Sequence, residues 1–98
     1  MKDRLVVQLQ KDLKDKVFEA TPQGHRSKLY SRVLRALKPE EREEVLKAYW
    51  SSSPDRQSQI SATVDAQRLR EFRESIGALP FGRAFNYLLR KEIEDNNQ

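Results

Sequence analysis

Cysteine is absent from this 98-residue chain. That excludes a disulfide framework and a thiolate metal site, and nothing speaks for an oxidising compartment. Histidine occurs once, as His25 in a turn between Gly24 and Arg26, where a solvent-facing or phosphate-near place is expected rather than general-base chemistry. The three glycines make no phosphate-binding loop. Glu40, Glu41, Glu43 and Glu44 cluster on one amphipathic segment with no histidine at ligand spacing. They read as dipole compensation and solubility rather than a metal centre, and an acidic helix contradicts membrane-surface binding. No apolar run approaches the ~18 residues of a membrane span, and Met1-Lys2-Asp3-Arg4 leads into a strand rather than a signal-peptide core. The expectation is a cytoplasmic protein without enzymatic activity, catalytic or metal-binding residues, cofactor, small-molecule substrate or membrane contact.

What is present is a repeat. Arg4-Leu5-Val6-Val7-Gln8-Leu9-Gln10 and Gln59-Ile60-Ser61-Ala62-Thr63-Val64-Asp65 are short period-two strands, beginning at residues 4 and 59. Leu5, Val7 and Leu9 form the apolar face of the first, and Ile60, Ala62 and Val64 that of the second. Each is followed by an amphipathic helix, with Leu13, Val17 and Ala20 inward in the first copy and Leu69, Phe72 and Ile76 in the second. Thr21-Pro22-Gln23-Gly24 and Gly77-Ala78-Leu79-Pro80 stop these helices. A second helix then starts in each copy. Ser27 is its expected N-cap in the first, ahead of Leu29, Tyr30, Val33, Leu34 and Leu37, and Gly82 is a weaker cap in the second, ahead of Ala84, Phe85, Leu88, Leu89 and Ile93. The same 55-residue offset relates both strand starts and both caps, and fixed-period repetition signals architecture.

Between the copies, Pro39 with Glu40 and Glu41 begins a further amphipathic helix through Val45, Leu46 and Tyr49 to Trp50, which the second copy lacks. Ser51 to Ser58 is a polar linker with no reason to order by itself. The expected divisions are a first unit over 1–38, a connecting helix over 39–50, a linker over 51–58 and a second unit over 59–98. Half of this chain falls near the ~40-residue floor for independent folding, so the units are expected to pack as one domain. The fold class is mainly α with a short two-stranded antiparallel ribbon.

The net charge of +4 is unevenly placed. Residues 1–38 carry ten Lys and Arg against four acids, residues 39–50 two against four, and residues 51–98 seven against seven. A basic first half favours a polyanionic partner.

The order strand, helix, helix, twice on one chain, resembles a tandem pair of ribbon-helix-helix units of the MetJ/Arc/CopG class. The likeness covers residues 4–38 and 59–94. It is carried by the alternation Arg4-Leu5-Val6-Val7-Gln8-Leu9 and by Ser27-Lys28-Leu29-Tyr30-Ser31-Arg32-Val33-Leu34, similar to the second-helix pattern of Arc-like proteins. Both strands on one chain is an arrangement similar to TraY-type relaxosome accessory proteins. The second copy departs from the pattern, with Phe81-Gly82 at the helix start and Tyr87 at the position equivalent to Arg32.

The resemblance implies a transcriptional repressor or a DNA-processing accessory factor of relaxosome or partition type, inserting its ribbon into the major groove of double-stranded DNA. Arg4, Val6 and Gln8 form one outward row and Gln59, Ser61 and Thr63 the other. Arg can bridge guanine O6 and N7, Gln can bridge adenine N6 and N7, Ser or Thr serves either base, and a Val methyl meets thymine. Backbone phosphates are expected at the second-helix starts, at Arg26, Ser27 and Lys28 and at Gly82 and Arg83. Lys2, Lys11, Lys14 and Lys16 add diffuse attraction. Self-association on adjacent sites stays open, as does a protein-interaction module such as an antitoxin, with Tyr49 and Trp50 either a partner surface or packed on their own domain.

Overall fold

The computed structural model describes residues 1–96. Two nine-residue strands, β1 (Lys2–Gln10) and β2 (Gln57–Asp65), pair antiparallel, with Lys2 opposite Asp65, Val6 opposite Ser61 and Gln10 opposite Gln57. Around them stand α1 (Lys11–Ala20), α2 (Arg26–Val33), α3 (Pro39–Lys47), α4 (Ala66–Ile76) and α5 (Phe81–Asn96), five helices among the described residues. No described helix is long and apolar enough to cross a membrane.

Period-two alternation sorts the ribbon into two faces. Leu5, Val7, Leu9, Ile60 and Val64 are buried and Ala62 is half-buried against the core. Each such buried aliphatic stabilises the fold by ~1.5–3 kcal/mol relative to exposure. A two-stranded ribbon is marginal in water unless its apolar face is covered. The core laid against it draws on every helix: Leu13 and Val17 of α1, Tyr30 and Val33 of α2, Val45 of α3, Phe72 of α4, and Phe85 and Leu89 of α5.

The 55-residue offset holds in space as well as in sequence. Starts of β1 and β2 fall at Lys2 and Gln57, of α1 and α4 at Lys11 and Ala66, and of α2 and α5 at Arg26 and Phe81. Val6 and Ser61, equivalent by the repeat, face each other across the ribbon, so an approximate twofold passes between them. Hydrogen bonds obey it too. The Asp65 N–H donates to Ser31 Oγ at 3.1 Å and the Gln10 N–H to Asn86 Oδ1 at 2.8 Å, tying each strand end to the helix beside it. Near this axis the Tyr30 and Phe85 rings lie 6.1 Å apart.

Several expectations are corrected. The helix expected to run to Leu37 ends at Val33. Leu34 and Leu37 are nonetheless buried, in extended chain whose Leu37 N–H donates to Ser75 Oγ at 2.8 Å, and Pro39 disfavours a helical Lys38. Ser27 is not a cap. A 3₁₀ turn at Gln23–His25 runs straight into α2, leaving Ser27 inside the first turn, and Gly82 likewise follows Phe81 inside α5. Ala20 is exposed at the end of α1. The α3 helix stops at Lys47, and both Leu46 inside it and Tyr49 beyond it are exposed.

The linker is also tied down. Gln10, only 2 % exposed, donates from Nε2 to the Ser51 carbonyl and accepts the Ser51 N–H on Oε1. Glu41 is buried rather than displayed with its acidic neighbours. Its carboxylate takes a two-pronged bond from Arg35, at 2.8 and 2.7 Å, and one from the Lys38 N–H at 2.9 Å, with Lys91 Nζ at 3.3 Å. The Arg35 guanidinium holds the Glu41 carboxyl down to about 2.

Candidate functional site

The ribbon's outer face holds Arg4, Val6, Gln8, Gln59, Ser61 and Thr63, all exposed. Register sets Arg4 beside Thr63, Val6 beside Ser61 and Gln8 beside Gln59. Arg4 Nε donates to Ser61 Oγ at 2.8 Å and Gln8 Nε2 to Gln59 Oε1 at 3.3 Å. These cross-strand bonds align the polar side chains into one comb, with the Val6 side chain at its centre. Chemically the face offers a guanidinium, two amides, two hydroxyls and one apolar contact, all exposed to solvent.

On the β2 flank lies the start of α2. Ser27 and Lys28 are exposed there, and both border a groove that also includes Thr63. Arg26 is half-buried: its Nε donates to the Thr21 carbonyl at 3.2 Å, and its guanidinium carbon sits 3.6 Å from the Phe18 ring centre. Lys14 reaches the same ring at 5.1 Å and donates to Ser58 Oγ at 2.8 Å. Cations thus cover Phe18, an otherwise exposed aromatic.

The β1 flank is built differently. At Gly82 a Cβ would meet Trp50 Cη2 at 3.6 Å and Val7 Cγ2 at 3.7 Å, so this residue faces protein. The Arg83 guanidinium is committed to α3. It donates to the carbonyls of Val45 at 3.1 Å, Leu46 at 2.6 Å and Ala48 at 3.3 Å, satisfying the acceptors a helix end leaves open. Phe81 occupies the position that Arg26 holds in the first copy and packs on Phe72 at 5.3 Å, while Arg73, equivalent to Phe18, lies 5.4 Å from its ring. The same cation–ring contact therefore occurs in both copies with donor and acceptor exchanged.

The structure brings the six outward ribbon residues together with Ser27 and Lys28, and directs Gly82 and Arg83 inward. Sequence reasoning missed the Arg83 cap and the Glu41 cluster. For Glu41 a signal existed, since Pro39 at the first helical position puts Glu41 third, where a carboxylate reaches back to the preceding N–H. Asp65 plays a related part at α4, where the Arg68 N–H at 3.0 Å holds its carboxyl below the usual range. Burial, aided by a hydrogen bond to Glu44, pushes the Tyr87 hydroxyl up.

No family model, curated protein or solved structure matches this chain.

Proposed function

We propose that this chain is a single-chain ribbon-helix-helix protein that binds double-stranded DNA sequence-specifically, as a transcriptional repressor or as an accessory factor in DNA processing. Two strand-helix-helix units pack as one domain, with α3 as an insertion between them. The observation that carries the reading is the outward comb of Arg4, Val6, Gln8, Gln59, Ser61 and Thr63, exposed along its whole length while the opposite face is sealed on the core. A two-stranded ribbon fits a major groove ~12 Å wide, and these side chains suit the base edges displayed there. Basic residues bordering the comb, Lys2 and Lys28 among them, support a polyanionic partner. In this mechanism the ribbon reads base edges, and backbone contacts fix its depth and register.

Selection of bound duplexes from a random pool, followed by affinity measurements on the selected site, tests the reading. Gln8→Ala and Thr63→Ala are each expected to cost ~1–3 kcal/mol at that site with the circular dichroism spectrum unchanged. Equal affinity of the double variant and the parent would discredit the ribbon as reader.

A further inference from the structure

The two flanks of the ribbon are equivalent by the repeat and opposite in chemistry. Beside Thr63 an open groove is walled by Lys2, Lys28, Arg32 and Arg68. Its one acid, Asp65, is engaged with the Arg68 N–H. Lys28 is exposed and has no ion pair or hydrogen bond among the described residues. Arg32 touches Glu92 at 2.9 Å with its own side chain 59 % exposed, and an exposed pair of that kind holds a guanidinium only weakly.

Moving 55 residues along reaches the matching place beside Gln8, where Gly82, Arg83 and Tyr87 replace Ser27, Lys28 and Arg32. Gln57 and Leu13 stand for Lys2 and Arg68. This second groove is lined by Tyr49, Trp50 and Tyr87. Its two arginines are both engaged, Arg83 with the α3 carbonyls and Arg90 with Asp12 at 3.1 Å. Phosphate contacts draw on Lys and Arg side chains and on open N–H groups. The first flank supplies them beside the start of α2, where Arg68 is held only by two long 3.4 Å bonds to the Ser31 and Arg32 carbonyls. At the matching place on the other flank an aromatic residue of the insertion stands over the same spot, and the exposed cations of that side, Lys11 and Arg56, line a separate groove with Tyr49.

We infer that a single chain grips the DNA backbone on one flank only, seating phosphates in the groove of Lys2, Lys28, Arg32 and Arg68, and therefore lies on its site in one orientation. The inference rests on the major-groove reading above and specifies the DNA it takes: a site without inverted symmetry within one ribbon's footprint. The comb agrees, since its repeat-equivalent pairs, Arg4 with Gln59, Val6 with Ser61 and Gln8 with Thr63, differ at every position.

The test uses the full chain on its selected duplex, with affinity measured over a range of salt and phosphate-ethylation interference mapped on both strands. Lys28→Gln is expected to make the slope of log K against log salt shallower by about 0.9, whereas Arg90→Gln leaves it unchanged. Interference is expected on one side of the footprint centre. Equal slope losses in the two variants, or interference placed symmetrically about the centre, overturns the one-sided grip while leaving base reading intact. A parent with neither sequence preference nor salt-dependent duplex binding overturns both.

Discussion

Glu41 is the one charged residue among the described residues that is buried. A lone carboxylate there would be costly, and the fork from Arg35 with the Lys38 N–H offsets the desolvation. The folded carboxyl titrates at about 2, below the ~4.3 of an unfolded glutamate. Unfolding between those values takes up a proton, so the contribution of Glu41 is fully present above the unfolded value and is lost as pH falls towards 2. The shift corresponds to ~3 kcal/mol. Urea midpoints at pH 7 and pH 3 are expected to differ more in the parent than in Glu41→Gln, which is less stable at pH 7 by a similar amount. Identical pH responses in parent and variant would remove Glu41 from this role. Single-residue legibility was uneven. The inward and outward rows of both strands followed from alternation alone, because a period of two maps directly onto faces. Glu41 sat in a run of like residues, and only its spacing from Pro39 set it apart.

At the scale of elements, α3 is the part that departs from the repeat, and it is held from outside. Its nine residues are too few for a stable helix in water by propensity alone. Val45 anchors it in the core, Arg83 caps its carbonyls, and Arg42 donates back to the Ser75 carbonyl at 2.6 Å. Arg83→Ala leaves the last turn of α3 without that cap and is expected to destabilise the protein by ~1.5–3 kcal/mol, as for hydrogen bonds to a charged group. Hydrogen exchange should locate the loss, with amides of the last turn of α3 opening faster and those of β1 and β2 changing least. Uniform acceleration across the chain would mean that Arg83 acts on global stability instead. Helix existence was legible from Pro39 and the apolar spacing. Where α2 would stop was not, since Leu34 and Leu37 fit a helical period yet are buried in an extended segment whose Leu37 N–H is taken by Ser75 of α4. The partner of Arg83 lies 35 or more residues away, beyond any local pattern.

Across the whole molecule, the ribbon exists only when both halves are present. Its two strands are separated by a stretch from Lys11 to Arg56, and closing a loop of that length costs ~3 kcal/mol beyond a constant term. That cost is recovered only through joint burial, because the aromatic contact of Tyr30 with Phe85 and both strand-end ties, Asp65 to Ser31 and Gln10 to Asn86, each join one half to the other. Neither half holds a complete core. Ser52 and Ser53 are exposed, so the chain can be divided there without cutting an element. Residues 1–52 and 53–98, made separately, are each expected to lack the helical circular dichroism of the whole. Mixed in equal amounts they should regain it, and with it the proposed duplex binding, since the interface that joins them is the core itself. A 1–52 fragment that folds alone as a homodimer, pairing β1 with its own copy, would be the contrary result: the first half would then be self-complementary, and the single-chain ribbon one of two pairings open to it.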